Sequence, residues 1–291
     1  MLASVFLIAL QAAPDPWNLP IGRPGTVTVQ PGELWDLRAG KKTSMDQMIA
    51  AAAKRRYVFF GESHATLPHQ EMEADIITSL HTAGKKVIVG LEMLTRPTQP
   101  VLDRWVSGEL DEATFIQDVD WKGQWGFDFD AYRPVFLACQ KDKIPMVALN
   151  VPRDWVRRVG RSGFAGLTAD EKLQLPSTMN LTQAGHRKVF NALMGGHPVS
   201  GARGENMYAA QVLWDEGMAH SAITAMQPHQ NDPNVVMVVL SGSGHMAYGQ
   251  GINLRIAMHA GERGLNIAAL GVKGTKKVSR GLADFLYVSK D

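Results

Sequence analysis

Six stretches of the chain run apolar without alternation: "YVFF" at 57–60, "KVIVGL" at 86–91, "IPMVAL" at 144–149, "NVVMVVL" at 234–240, "LNIAALGV" at 265–272 and "FLYVS" at 285–289. A strand with one face in water alternates apolar and polar residues, whereas a strand covered on both faces does not. The intervening segments carry helical signals. "SMDQMIAAAAKR" reads as a helix with Ser44 as its N-cap. Pro68 suits the first turn of a helix running to about Thr82, and Gly84 suits its stop. Residues 98–119 alternate helix and turn signals, and the Trp-rich "DWKGQWGFDFDAYRP" leads into a helix through Cys139. "GENMYAAQVLWDEGMAHSAITAM" is a strong helix. Residues 153–203 lose the strand rhythm and read as a helical insertion, while 14–33, rich in Pro and Gly, read as an extended lead-in. The pattern predicts an α/β fold: a mostly parallel central sheet covered by helices on both faces, in a single domain over 34–291.

Open parallel sheets place their sites beyond the C-terminal ends of the strands. After "YVFF" come Gly61, Glu62 and His64; after "KVIVGL", Glu92; after "IPMVAL", Asn150; after "NVVMVVLSGSG", His245. Two imidazoles, two carboxylates and an amide are thereby predicted on one rim. Gly61, Gly242 and Gly244 let the backbone turn tightly and approach closely there. A third imidazole, His69, falls in the first turn of the helix that follows. Histidine and glutamate without cysteine form a borderline ligand set, suited to zinc, manganese, cobalt or iron with a position left open. His64, Glu92 and His245 are the candidate ligands of such a divalent metal. Without a metal, His64, Glu62, Glu92 and His245 suit general acid–base catalysis. Any one polar residue after a strand is commonly a cap or turn former. The repetition of Gly-x-x-His after two strands, with Glu92 after a third, is what points to a site.

Other motifs fall away. "SGSGHMA" fits Gly-x-Gly-x-x-Ala after a strand, but no acidic residue follows "LNIAAL" to take a ribose. There is no Gly-x-Ser-x-Gly elbow and no His-Glu-x-x-His, and "AGKKTS" lacks the leading glycine of a P-loop. Met207, Gln211, Trp214 and Met218 lie at helical spacing and read as a core face, with Tyr208 beside it and Asp215 and Glu216 in the next turn.

Composition narrows the reading further. Lys plus Arg number 30 against 28 Asp plus Glu, which gives no electrostatic case for a nucleic-acid partner. Cys139 is the sole cysteine, so neither an intrachain disulfide nor a cysteine zinc site can form; on its helix face it reads as buried filler. Leu2 to Leu10 are too few to span a bilayer and suit the core of a secretory signal cleaved near Ala12 or Ala13. No lipid-attachment cysteine follows, and no other stretch is long enough to be transmembrane. The expectation is an exported, periplasmic or extracytoplasmic protein, not a lipoprotein.

"VFFGESHATLPHQEME", "KVIVGLEM", "DAYRPVFLAC", "IPMVALNVPRDWVRRV", "YAAQVLWDEGMA" and "VVLSGSGHMAYGQGI" together resemble the ChaN-like haem-binding family, within the wider Tiki, TraB and erythromycin-esterase-like superfamily. The blocks keep the family's order and cover roughly residues 44–272. The resemblance implies haem binding linked to iron uptake, with a Tyr-ligated haem at a homodimer interface. On this chain it points to Tyr208 as ligand, with Tyr132 and Tyr248 as alternatives, Met207 and Trp214 as walls, and Arg153 or Arg157 for the propionates. In the Tiki branch similar motifs imply a divalent metal and peptide hydrolysis; in the esterase branch they imply ester hydrolysis with a His as base. The lipobox cysteine frequent in ChaN-type proteins is missing here.

Overall fold

In a computed structural model, which describes residues 14–195 and 200–291, the apolar runs pair into one sheet. The N-terminal run and its expected cleavage site lie outside the described residues. In chain order the strands are β1 (Thr26–Val29), β2 (Leu34–Asp36), β3 (Lys41–Lys42), β4 (Tyr57–Glu62), β5 (Lys86–Thr95), β6 (Met146–Asn150), β7 (Val235–Gly242), β8 (Leu265–Val272), β9 (Lys276–Ser279) and β10 (Phe285–Lys290). The helices are α1 (Met45–Ala52), α2 (Leu67–Thr82), α3 (Gln99–Ser107), α4 (Glu112–Asp118), α5 (Trp121–Gln124), α6 (Phe129–Asp142), α7 (Arg153–Ser162), α8 (Ala169–Leu173), α9 (Ala184–Leu193), α10 (Gly201–Met226) and α11 (Ile252–Ala260).

The main sheet has the order β3-β2-β10-β8-β4-β7-β5-β6. Strands β10, β8, β4, β7, β5 and β6 are parallel, and β2 and β3 close one edge antiparallel. Every residue of β4 and β7 is buried, as an unbroken apolar run between two helical layers requires. The pleat splits the runs. Val58, Phe60, Val236, Val238 and Leu240 pack beneath α1, α2, α3 and α6. Tyr57, Phe59, Met237 and Val239 pack beneath α10 and α11. Ser44 caps α1, its side chain accepting from the Gln47 amide. Pro68 stands in the first turn of α2, and Gly84 follows that helix in the left-handed region at φ 82°.

Several elements were not legible in the hydrophobic pattern. β2 and β3 are short and partly polar, and α11 follows a glycine-rich loop whose residues mask its start. The lead-in is more than extended chain. Its β1 pairs antiparallel with β9, and its Leu19 is buried. Tyr248 ties it down: the Leu19 amide donates to the Tyr248 hydroxyl at 2.8 Å, which donates in turn to the Pro16 carbonyl at 2.9 Å. Within the excursion expected over 153–203 the described residues form α7, α8, α9 and the start of α10, with α7 lying on α10 through Val156, Val159, Ala210 and Leu213. Cys139 is buried in α6. Among the described residues no helix is long and apolar enough to cross a membrane.

Candidate functional site

The strand ends deliver Glu62, Glu92 and, one turn beyond β7, His245 to one rim. The pleat directs them to opposite sides of the sheet. Glu62 continues the row of Val58 and Phe60 and faces α2 and α6. Glu92 lies on the other row and faces the α10 side. Two clusters, one from each layer, therefore meet at the same edge.

In the first cluster Glu62 Oε1 lies 2.7 Å from His64 Nδ1 and accepts from the Tyr132 hydroxyl at 3.0 Å. Glu62 Oε2 accepts from the Gln70 amide. Tyr132 also accepts from the Ala65 amide at 3.0 Å, which fixes the loop carrying His64. Burial raises the Glu62 carboxyl above its ordinary range despite these donors. Glu73 is fully buried on α2 against Glu62, with no cation beside it among the described residues; burial and its like-charged neighbour hold it well above the usual carboxylate range. Burial alone would lower the His64 imidazole, but the Glu62 hydrogen bond and the Glu92 and Glu62 charges raise it overall.

In the second cluster His245 is held between two carboxylates. Its Nδ1 lies 2.6 Å from Asp215 Oδ1 and its Nε2 3.2 Å from Glu92 Oε1. Burial opposes the charged imidazole, yet Glu92 and Asp215 push it up to about 10. Glu92 also accepts from the Gly242 amide at 2.6 Å, and its carboxyl is lowered, the His245 charge outweighing burial. Asp215 is gripped from behind by His186 Nε2 at 2.7 Å and Arg255 Nη1 at 3.5 Å. Arg255 only donates, so the His186 Nδ1 that faces it at 3.2 Å is an acceptor. Arg255 Nε reaches Glu216 at 3.5 Å, and Glu216 reaches His259 at 2.8 Å.

The glycines act by close approach, not by a special backbone angle: Gly61, Gly242 and Gly244 all avoid the left-handed region. A Cβ on Gly242 would stand 2.6 Å from His64 Cε1, and one on Gly61 2.6 Å from Met246 Sδ. The His64 ring thus rests on bare backbone. The ring also lies 4.6 Å from Trp125, edge-on, and 5.4 Å from Phe127 between ring centroids.

His64, Glu62, Glu92 and His245 are brought together as expected, but not as a metal cage. Among the described residues no three His, Cys, Asp or Glu side chains are disposed to hold a metal ion. The physical reason is that the proposed ligands are turned on their neighbours: His64 Nδ1 is paired to Glu62, and both His245 nitrogens are engaged by carboxylates. Asn150 is structural, its amide donating to the Glu92 carbonyl at 2.9 Å. His69 is structural too: its Nδ1 accepts from the Ser63 amide at 3.0 Å and its Nε2 lies 2.9 Å from Ser289 Oγ. Burial lowers it to about 4.

That shift carries a stability prediction. Between about pH 6.5 and 4 the unfolded chain binds a proton at this residue and the folded chain does not. The His69 contribution is therefore full above pH 6.5 and is lost as pH falls toward 4, on the order of 3 kcal/mol. Urea midpoints of wild type and His69→Gln, measured at pH 7 and pH 5, should converge on acidification; parallel curves would rule out a neutral buried His69.

Tyr208 is fully buried in α10, its hydroxyl 2.9 Å from His186 Nδ1, under the Arg187 guanidinium. Met207 is half-buried beside it. Arg153 is exposed and donates to the Gly123 carbonyl, in the turn that carries Trp125; Arg157 pairs with Asp154 in the solvent. Sequence reasoning passed over Asp215 as a helix-face residue, took Tyr132 for packing or a haem ligand, and gave no role to Gln70, Glu73, His186 or Arg255. The Glu73 position could have been found: with His69, Gln70 and Ile77 it marks the inner face of α2 at helical spacing.

The profile of a family described as haem-binding uptake, Tiki superfamily, ChaN matches residues 48–256, a span that contains both clusters. Among solved structures the chain is similar to ChaN of Campylobacter jejuni, determined with cofacially bound haem, at 18% identity over 87% of this chain and 95% of that one, with a TM-score of 0.67. It is also similar to a mutant of erythromycin esterase EreC in its open conformation, at 14% identity over 84% of this chain and 77% of that one, with a TM-score of 0.50. No curated protein matches. At these identities the two structures show the fold alone; the family profile, which spans most of the chain, shows that this protein belongs to the ChaN family of haem-binding uptake proteins in the Tiki superfamily.

Proposed function

We propose that this protein binds haem and serves haem or iron handling outside the cytoplasm. The carrying observation is the family match, which covers the whole rim from the α1 helix to Arg255. The rim offers what a flat, apolar, doubly anionic ligand needs. Trp125 and the exposed Phe127 stand beside His64, and the Trp125 indole N–H is buried with no hydrogen-bond partner among the described residues. Arg153 flanks the same turn and keeps donors free beyond its bond to Gly123. Bound there, haem would supply an iron centre held by the protein. The chain's own groups would bury the porphyrin face, anchor its carboxylates and, through Glu62 and Tyr132, hold the His64 loop in place. The apolar run from Leu2 to Leu10 supports the extracytoplasmic setting. Titrating the purified protein with haemin should give a saturable, stoichiometric Soret change; its absence would sink the haem reading.

A second reading is acid–base hydrolysis of an ester or peptide, favoured by the asymmetry of the two imidazoles. His64 gives Nδ1 to Glu62 and keeps Nε2 for a proton, with a third of its side chain exposed (32%), whereas His245 is 10% exposed and spends both nitrogens on carboxylates. His64 is then the base, and the charged His245 supplies a fixed positive potential. A haemin titration without saturation would leave this reading standing, and turnover of an ester panel that disappears in His64→Ala would establish it.

A further inference from the structure

Glu73 lies on the inner face of α2 with none of its side chain in solvent, and neither of its carboxyl oxygens meets a hydrogen-bond donor among the described residues. A carboxylate only accepts, and a buried one without donor or cation takes up a proton instead. The group that Glu73 does reach, within hydrogen-bonding distance, is the Glu62 carboxyl. Two carboxylates in contact do not both ionise. The pair therefore holds a proton, and the donors around it decide where. Glu62 accepts from Tyr132 and Gln70 and lies 2.7 Å from His64 Nδ1, three contacts that favour its charged form. Glu73 has none, so the neutral form belongs to Glu73.

We propose that Glu73 is a protonated carboxylic acid that donates its hydrogen to Glu62, and that through this bond it is a positioning residue for His64. The Glu62 carboxylate is then held by Gln70 and Glu73 of α2, by Tyr132 of α6 and by His64 of the loop after β4. Hydrogen bonds to a charged acceptor are the strong ones, so the added donor fixes the Glu62 oxygens and with them the direction of the imidazole. The charge also comes out even: the pair carries one negative charge against an imidazolium at His64, where two ionised carboxylates would carry two. The other titratable groups at this corner do not compete for the proton. Tyr132 already donates to Glu62, and His69, on the same helix, is turned to Ser63 and Ser289. Burial and the Glu62 charge hold the Glu73 carboxyl well above the usual carboxylate range, and burial raises Glu62 as well, in keeping with a shared proton. This role is independent of what the rim binds and stands beside either reading of the function.

Infrared spectroscopy of the full chain at pH 7 tests the protonation. The wild type should show the C=O band of a carboxylic acid, displaced in deuterium oxide. Glu73→Gln, neutral and of the same shape, should abolish the band. Glu62→Gln should keep the band but displace it, because the acceptor has lost its charge. NMR titration of the His64 ring tests the positioning. Glu73→Gln keeps an N–H donor for Glu62 and should leave the His64 midpoint in place, whereas Glu73→Leu, without a donor, should lower it. A wild type without the band, or a band that survives Glu73→Gln, would overturn the proposal. A drop of the His64 midpoint in Glu73→Gln would do so too, since it would mean that a negative charge had been removed. A band unmoved in Glu62→Gln would give the proton to another acceptor, such as the unpartnered Gln70 Oε1, and cut the link to His64. Should Glu73→Leu fail to fold, the spectra of the two glutamine variants decide.

Discussion

Asp215→Ala should remove about 3–5 kcal/mol of stability, the expected cost of stripping one partner from a buried ionic cluster. Such a loss is a large part of the 5–15 kcal/mol that typically holds a domain folded. The carboxylate is fully buried and answers three groups: His245 at 2.6 Å, His186 at 2.7 Å and Arg255 at 3.5 Å. Alanine leaves Arg255 and His245 in a dry interior with one carboxylate fewer than they need. Asn, which keeps an acceptor but no charge, should lose less. The cluster also sets a pH window. His245 is raised to about 10, so its contribution is complete below 6.5 and fades as pH climbs toward 10. Asp215 is depressed, chiefly because Arg255 and His245 outweigh its burial, so its contribution is complete above 3.8 and fades as pH falls below that. Urea unfolding at pH 7 measures the first effect. A loss below about 1 kcal/mol would mean that the groups around Asp215 relax to water on its removal.

Gly251→Ala should cost about 3 kcal/mol or more, lowering the melting temperature by roughly 6–12 °C for a chain of this size class. Gly251 precedes α11, and a methyl group there would overlap the carbonyl of His245. The obstacle is backbone, so no side chain can swing away. The strand-end loop bearing His245 or the start of α11 has to move, and Arg255, whose guanidinium donates to the Gly251 carbonyl at 3.1 Å, moves with it. Gly249→Ala, two residues earlier, is the control. It too sits in a tight loop, at φ 69°, but nothing lies within 4 Å of the added carbon, so only the left-handed conformation is penalised, at about 1–2 kcal/mol. Differential scanning calorimetry separates them; equal shifts would show that the His245 loop yields freely.

The layered sheet was legible because a strand buried on both faces leaves an unbroken apolar run, as in β4 and β7. Glu62, Glu92 and His245 were legible because parallel strands deliver whatever follows them to one rim. The order of the strands was not: β4 lies between β7 and β8, and no local pattern records which distant run will flank it. Asp215 was hidden for a related reason. Within α10 it occupies a turn like any other, and a carboxylate is read as solvent-facing until the imidazole and guanidinium that neutralise it are brought in from α9, α11 and the loop after β7. Tyr132 was read by its ring, which packs with Trp121, when its hydroxyl is what reaches the site.

The position of β4 also dictates when the site can exist. Both of its sheet partners lie near the end of the chain, Gly242 opposite Glu62 and Ala268 opposite Gly61. At ribosomal speeds of about 5–20 residues per second, roughly ten to forty seconds separate the emergence of Glu62 from that of Gly242. Throughout that interval a strand of uninterrupted apolar residues waits with both edges unpaired. A fold with its central strand made early and its neighbours made late assembles slowly, because loop closure over long separations has to precede the contacts that reward it. The unpaired edges of residues 57–62 are therefore a hazard of the nascent chain, removed when β7 and β8 are made.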